Sequence, residues 1–399
     1  MSLLSPIRVL DLGGEWTGFP GVILAEMGAE VILVERPGGD AARNRLPQAG
    51  GVNPAFAAWN LSKKSVTLDI ETAEGQALLR DLIAGADVVL ESHRPGTLAA
   101  LGLAPEALIA DHPSLIVTSL TAFGQTGPRA ANAASDTTLM ALSGLMAVTG
   151  FPGLPPLRLG YDQIASLGAL QAALGTMMAI FARGTDGQGQ HVDVSILDAA
   201  RLANYREPLR WEFQQAIETR KGNGARRGRG GFVSTIWRCK DGWITWSPSD
   251  DPKRSQSFIE TANALGIGLD WKDHDFAGEK PADMPQEEID RLESDIAPFF
   301  LRHTRAELEA MATEKGWMLI ALLDLKEAAA QPQLAARDFW TEVPIGGQDV
   351  PVPAFPFKTS EAQPHQTGPV PHPGQHNAEV LGAVRDAAQL AALEKAGVI

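Results

Sequence analysis

The chain has 399 residues, 44% of them hydrophobic and 21% charged, an ordinary globular composition that excludes global disorder and, at this length, suggests two domains. Acidic residues number 48 against 34 basic ones, and the formal net charge of -14 argues against a surface built for nucleic acid. The single cysteine, Cys239, excludes a disulfide framework and any multi-cysteine metal site, and it fits the cytoplasm, the expected location.

Short apolar runs alternate with helical patterns at the start of the chain. Residues 7–12 (Ile7-Arg-Val-Leu-Asp-Leu) read as a buried strand entering the Gly13-Gly14 turn, 20–27 as a helix and 29–35 as a second strand. Residues 65–70 are a third extended segment. Thr72 is placed to cap a helix through Ile83, followed by a strand at 86–91, a short helix at 105–110 and a strand at 114–120. This alternation implies parallel pairing in an α/β sheet covered on both faces.

Helical patterns at 136–148 and 162–183 flank the stiff connector 150–156. Residues 163–182 carry no formal charge, but their alanines, glycines and glutamines suit a buried helix better than a membrane span. No cationic stretch leads into an apolar run at 1–6, so no signal peptide is expected. Residues 190–196 alternate as a strand that runs into a helix through Asn204, and 206–219 continue as a linker helix. A second domain is expected after Gly222. It opens with a glycine-rich loop at 222–231, then strands at 232–238 and 242–247 and helices at 252–265, 285–302 and 304–315. An extended return at 363–375 and a helix at 378–396 close the chain, and no internal repeat is present.

Several familiar chemistries lack their motifs. There is no Gly-Lys phosphate loop, no His-Glu-x-x-His and no Gly-x-Ser-x-Gly. The first turn also lacks Gly-x-Gly-x-x-Gly spacing, although Glu35 ends the second strand where a dinucleotide site would have an acid. The histidines form no metal-binding spacing, and no metal is expected. Asp162, which opens the long apolar helix, has two readings. It either caps that helix, or it is a carboxylate held at a helix start for nucleophilic attack. The basic residues Arg220, Lys221, Arg226, Arg227 and Arg229 among glycines read as a solvated linker, an RNA-binding segment or a lid whose amides approach an anionic ligand.

Taken jointly, a set of sequence blocks resembles the class III CoA-transferases, the family that includes formyl-CoA and carnitine CoA-transferases and the α-methylacyl-CoA racemases. The blocks are Leu24-Ala-Glu-Met-Gly-Ala-Glu-Val-Ile-Leu-Val-Glu-Arg-Pro37, Asn60-Leu-Ser-Lys-Lys-Ser-Val-Thr-Leu-Asp69 and Ala86-Asp-Val-Val-Leu-Glu-Ser-His-Arg-Pro-Gly96. Further along come Phe123-Gly-Gln-Thr-Gly-Pro128, Gly187-Gln-Gly-Gln-His-Val-Asp-Val-Ser195 and Pro373-Gly-Gln-His-Asn-Ala-Glu-Val-Leu381. The resemblance spans nearly the whole chain and is weakest from 250 to 345.

It implies an α/β fold in which a Rossmann-like large domain, made from both chain ends, carries a smaller inserted α+β domain. The expected boundaries are 1–203, a linker helix at 204–223, the small domain at 224–325 and a return at 326–399. It also implies an interlocked homodimer of linked rings, with no membrane or nucleic-acid partner. Asp162 falls at the family's nucleophile. The implied reaction moves CoA from an acyl-CoA to a free carboxylic acid through aspartyl anhydrides and an aspartyl-CoA thioester, with CoA a substrate and no permanently bound cofactor. Arg36 matches an arginine near the adenosine phosphate, and Trp16 and Leu68 fall at adenine-side positions. Ser92, His93, Arg94 and Leu101 complete the implied CoA contacts, and Gly228, Gly230 and Gly231 match a glycine lid. The chain departs from the pattern at Ser92-His93, where the family has Asn-Phe. Ala100 and Ala133 stand where family members carry cations, with Arg94, Arg43 and Arg129 as candidate substitutes. Two other readings follow from the same likeness. A racemase would need a histidine at Ser135, and the missing cations would suit a non-catalytic partner of an active paralogue.

Overall fold

The computed structural model describes all residues except 1, 15, 49–50, 227–230, 250, 276–283, 355 and 362–367. The chain divides into two compact units. The first is Met1–Leu145, Leu159–Gln214 and Pro332–Ile399, and the second is Met146–Arg158 and Gln215–Gln331.

The first unit is built on a six-stranded parallel sheet. Its elements run β1 (Arg8–Asp11), α1 (Gly18–Glu26), β2 (Glu30–Glu35), α2 (Pro54–Trp59), β3 (Lys64–Thr67), α3 (Ala73–Ala84), β4 (Val88–Glu91), α4 (Thr97–Ala100), α5 (Pro105–Asp111), β5 (Ile116–Thr121), α6 (Asp136–Ser143), then, after α7 (Leu145–Val148), which falls almost wholly in the second unit, α8 (Gln163–Asp186), β6 (His191–Ser195), α9 (Ile196–Leu202) and α10 (Arg206–Gln214). The strand order is β3-β2-β1-β4-β5-β6, every pair parallel. Successive residues in each strand feed opposite faces. Leu10, Ile32, Val89 and Val117 pack with Leu78 and Leu82 of α3, whereas Val9, Val31, Val88 and Ile116 pack with Leu24 of α1 and Ala179 of α8. Burial on both faces is why these strands read as continuous apolar runs.

Helix α8 buries Ala165, Gly168, Ala169, Ala172, Ala173, Thr176 and Ala179. This stripe of small residues lets it lie close to β5, where Thr176 Oγ1 is 2.8 Å from Thr118 Oγ1. It is the one helix among the described residues long and apolar enough to cross a membrane, and the sheet explains its composition instead.

The chain returns to the first unit through α15 (Pro332–Ala336), a hairpin of β12 (Trp340–Ile345) and β13 (Gln348–Pro353), α16 (Asn377–Val380) and α17 (Ala387–Lys395). The hairpin turns at Gly346 and Gly347, both at positive φ, the combination a tight two-residue hairpin turn needs. The C-terminal Pro373–Leu381 block covers the edge of the sheet. Ser65 N–H donates to His376 Nδ1 (3.1 Å), Thr67 N–H donates to Asn377 Oδ1 (2.9 Å), and His376 N–H donates to the Ser65 carbonyl (2.9 Å). Edge groups of β3 are thereby paired rather than left open.

The second unit contains β7 (Gly224–Arg226), β8 (Phe232–Ser234), β9 (Ile236–Arg238), β10 (Trp243–Thr245), α11 (Pro252–Ala264), α12 (Gln286–Arg302), α13 (Arg305–Lys315), β11 (Ile320–Ala321) and α14 (Leu325–Ala329). An antiparallel sheet ordered β11-β10-β9 packs beside an aromatic core in which the Trp246 and Phe258 rings stack with centroids 4.5 Å apart.

Several expected elements are shorter or broken in the structure, among them the helix expected at 378–396, which is α16, a 3-10 turn at Leu381–Ala383 and α17. The strand expected at 232–238 is two strands, because Thr235 turns its N–H and hydroxyl to the Asn223 carbonyl. The helix expected at 206–219 stops at Gln214, where Gln215 takes φ 50. Gly144 at φ 86 splits the helix expected at 136–148.

Candidate active site

Strands β1 and β4 are neighbours although α1, β2, α2, β3 and α3 separate them in sequence, so the strand order reverses between them. Ligands of open parallel sheets bind beyond the carboxyl ends of the strands at such a point. The turn after β1 is held in shape there by its own residues. Gly13 N–H donates to Asp11 Oδ1 (3.0 Å), and Thr17 Oγ1–H donates to the Gly13 carbonyl (2.9 Å). Across the reversal, Trp16 N–H donates to Ser92 Oγ (3.4 Å). Position 14 must be glycine, because φ is +102 and a Cβ would lie 2.2 Å from Ser92 Oγ.

A cavity of about 480 Å³ opens beside this turn, lined among others by Gly14, Arg36, Leu68, Glu71, His93 and Leu101. Four of the CoA contacts expected from sequence, Arg36, Leu68, His93 and Leu101, thus share one cavity, and Trp16 and Ser92 hold the turn at its mouth. Arg36 reaches Glu71 at 2.7 Å with both side chains exposed. His93 Nδ1 lies 3.5 Å from Oε2 of the buried Glu91, whose same oxygen accepts His93 N–H at 2.7 Å. Arg94 is exposed and lines neither this cavity nor the next.

The idea that Arg43 replaces a missing CoA cation does not hold. Its guanidinium grips Glu35 with two bonds of 2.6 Å, donates to the Pro371 carbonyl (2.9 Å) and sits over the Phe56 ring. The same contacts account for Glu35, whose fully buried carboxylate also accepts Ser65 Oγ–H. It serves Arg43 rather than a ribose.

A second cavity, of about 280 Å³, is lined by Gly13, Gly14, Thr17, Arg45, Trp59 and Asp162 among others. Gly14 is common to both cavities. Asp162 precedes α8 with φ -93 and ψ 62, and its side chain makes no cap hydrogen bond. The carboxylate is exposed, so the capping reading is set aside and a group aimed at a cavity remains. Arg45, Asn53 and Trp59 were not singled out from sequence. Asn53 was detectable, since Asn-Pro ahead of an apolar run marks a helix start. Its Oδ1 accepts Phe56 N–H, and its Nδ2 donates to the carbonyls of Arg45 and Pro47.

Of the glycine loop, Gly228 and Gly230 lie outside the described residues. Gly231 donates its N–H to the Met284 carbonyl (3.3 Å) and packs so closely that a Cβ would meet Gln286 Oε1 at 2.4 Å. Arg220 donates to the carbonyls of Phe151 and Ala147, and Lys221 pairs with Glu218, so these two cations are engaged within the second unit. The described residues hold no cluster of three His, Cys, Asp or Glu side chains suited to a metal.

A family model described as CoA-transferase family III matches residues 4–377. The chain is similar to the succinyl-CoA:(R)-benzylsuccinate CoA-transferase subunit BbsE of Thauera aromatica, 32% identical over 399 residues that cover 94% of this chain and 93% of that one. It is 36% identical over 338 residues to the succinyl-CoA–D-citramalate CoA-transferase of Chloroflexus aurantiacus, covering 84% and 82%. Among solved structures, a CAIB/BAIF family protein from Brucella suis superposes with a TM-score of 0.83 at 26% identity, covering 95% of this chain and 98% of that one.

Proposed function

Because the chain belongs to CoA-transferase family III, we propose that it exchanges CoA between two carboxylic acids with Asp162 as the covalent nucleophile. One observation carries the assignment: Asp162 makes no cap to its own helix and lines a cavity that shares Gly14 with the cavity of the CoA-contact residues. The Asp162 carboxylate attacks the donor thioester carbonyl, the C–S bond breaks, and CoA thiolate leaves a mixed anhydride. The thiolate then attacks the aspartyl carbonyl of that anhydride, which releases the donor acid and forms aspartyl-CoA. The acceptor carboxylate displaces the thiolate to give a second anhydride. Attack of the thiolate on the acceptor's acyl carbon releases the new thioester and restores Asp162. Dividing one exchange into several acyl transfers of similar energy is what a covalent nucleophile contributes.

Arg45 lines the cavity of Asp162 and supplies a cation for a second carboxylate on an acceptor. Both relatives described above have succinyl-CoA in their names, so succinyl-CoA with dicarboxylic acids is the first combination to test. The racemase reading lacks support at its key position. Ser135 is the cap of α6, its Oγ accepting Thr138 N–H, and it offers no base.

The proposal includes a homodimer of linked chains acting in the cytoplasm. Leu170, Leu174, Met178 and Phe181 form an exposed stripe along α8, and Leu209, Trp211 and Phe213 are exposed on α10. Apolar surface of this extent on a soluble chain marks an interface. In the decisive experiment, pure protein is incubated with a panel of acyl-CoAs and free acids, and CoA exchange is read by mass. New acid-dependent thioesters support the reading. Reaction of an acyl-CoA with water or by α-hydrogen exchange alone overturns it.

A further inference from the structure

Asp162 is free of capping duty because another carboxylate performs it. The N–H of Ala165, in the first turn of α8, donates to Asp136 Oδ1 at 2.8 Å. Ala165 is the third residue of that helix, the donor an N-cap side chain at 162 would ordinarily satisfy. Asp136 is itself the first residue of α6, fixed by the Ser135–Thr138 capping box. It therefore stands at the positive ends of two helices, where a negative charge is favoured. On the other side, Tyr161 enters α8 at φ 60, a left-handed conformation that costs a non-glycine residue about 1 kcal/mol or more. Strain of this kind persists only where surrounding structure holds it.

Resting on the reading of Asp162 as nucleophile, we propose that Asp136 is a positioning residue for catalysis. By occupying the Ala165 amide in place of the Asp162 side chain, it keeps the nucleophile turned toward the cavity. Without Asp136, the Ala165 amide loses its acceptor, the Asp162 carboxylate stands at the ordinary N-cap position to replace it, and a carboxylate engaged as a cap must break that bond before each attack. A typical N-cap bond is strong enough to slow the acylation step by about tenfold.

The test compares Asp136→Ala with Asp136→Asn, whose amide oxygen still accepts from Ala165. Each is assayed for kcat, for KM of the acyl-CoA, and for the rate at which hydroxylamine captures acylated Asp162 as its hydroxamate in a single turnover. Asp136→Ala should lose about tenfold in kcat and in capture rate at unchanged KM, and Asp136→Asn should regain most of both. If Asp136→Ala does not fold, Asp136→Ser, whose side chain is one bond too short to reach Ala165, is judged by the same readings. Wild-type kcat in the shortened variant, an effect confined to KM, or equal loss in Asp136→Asn would overturn the proposal. Absence of capture in the unmodified protein would instead remove the nucleophile reading, so the two failures are distinguishable.

Discussion

Lys63 Nζ lies 2.8 Å from Asp11 Oδ2, and neither side chain has any exposed surface. The ammonium also donates to Asn60 Oδ1 (2.8 Å) and to the Gly18 carbonyl (3.0 Å), while Asp11 accepts Gly13 N–H. This buried pair ties the end of β1, the start of α1 and the segment before β3 together beneath the turn that borders both cavities. Burial pushes the Lys63 pKa down, and Asp11 opposes that shift. Gly21 admits the pair, since a Cβ there would lie 2.6 Å from Lys63 Nζ.

Removing one partner leaves an uncompensated charge in the core. Lys63→Met should cost about 3–5 kcal/mol of stability. The double variant Lys63→Met/Asp11→Asn should be less damaged than the sum of the two single changes. Urea unfolding of all four proteins checks this; strict additivity would show that the pair does not act as a unit.

Arg36 and Glu71 line the larger cavity while paired with each other. An anionic ligand must compete with Glu71 for the guanidinium. Arg36→Ala should raise KM for acyl-CoA by about tenfold with kcat little changed, the loss expected for one charge-assisted bond. Glu71→Gln, which releases Arg36, should lower KM. Initial-rate kinetics separate the two, and a rise in KM for Glu71→Gln would remove Arg36 from the CoA contacts.

The second unit carries its own acid-sensitive link. Arg305 donates two bonds to Glu327 (2.7 and 2.8 Å), and Glu327 also accepts Asp324 N–H at the start of α14. The guanidinium, followed by that N–H, pulls the Glu327 pKa to about 2 from 4.5. A lowered carboxylate contributes stability that is complete above the ordinary value and lost as pH falls toward the folded one. Wild-type thermal stability should therefore fall between about pH 4.5 and 2 more steeply than that of Glu327→Gln. Parallel melting curves over that window would show the link to be inert.

The apolar stripe on α8 makes a prediction about assembly. The protein should run as a dimer that does not dissociate on dilution, because linked chains must unfold to separate. Phe181→Asp, at a residue 82% exposed in the single chain, should give monomer or aggregate. Light scattering across a hundredfold dilution decides it, and a monodisperse wild-type monomer would contradict the interlocked arrangement.

The large sheet was legible because its strands are buried on both faces, which leaves short apolar runs between turn signals. The same signal was absent where packing is less regular. The β12–β13 hairpin alternates weakly and contains Pro344, Pro351 and Pro353, and it was missed from sequence. For the site, Arg36, Leu68, His93 and Leu101 were found through resemblance to a family, and the structure places them in one cavity. Arg43 was misjudged because the sequence shows a cation but not the buried Glu35 that holds it. The role of Asp136 was equally hidden. Nothing in the local sequence tells that a residue opening one helix caps another 29 residues away.

In the proposed mechanism Asp162 takes the acyl group itself. Enzyme is mixed with a reactive acyl-CoA and hydroxylamine in the absence of any acceptor acid, digested, and the Asp162 peptide is weighed. Asp162 should be converted to its hydroxamate with loss of activity, and Asp162→Asn should show neither modification nor transfer. Substantial transfer by Asp162→Asn shown by mass to be free of deamidation, or deuterium exchange at the acyl α-carbon with Asp162 unmodified, would contradict that mechanism.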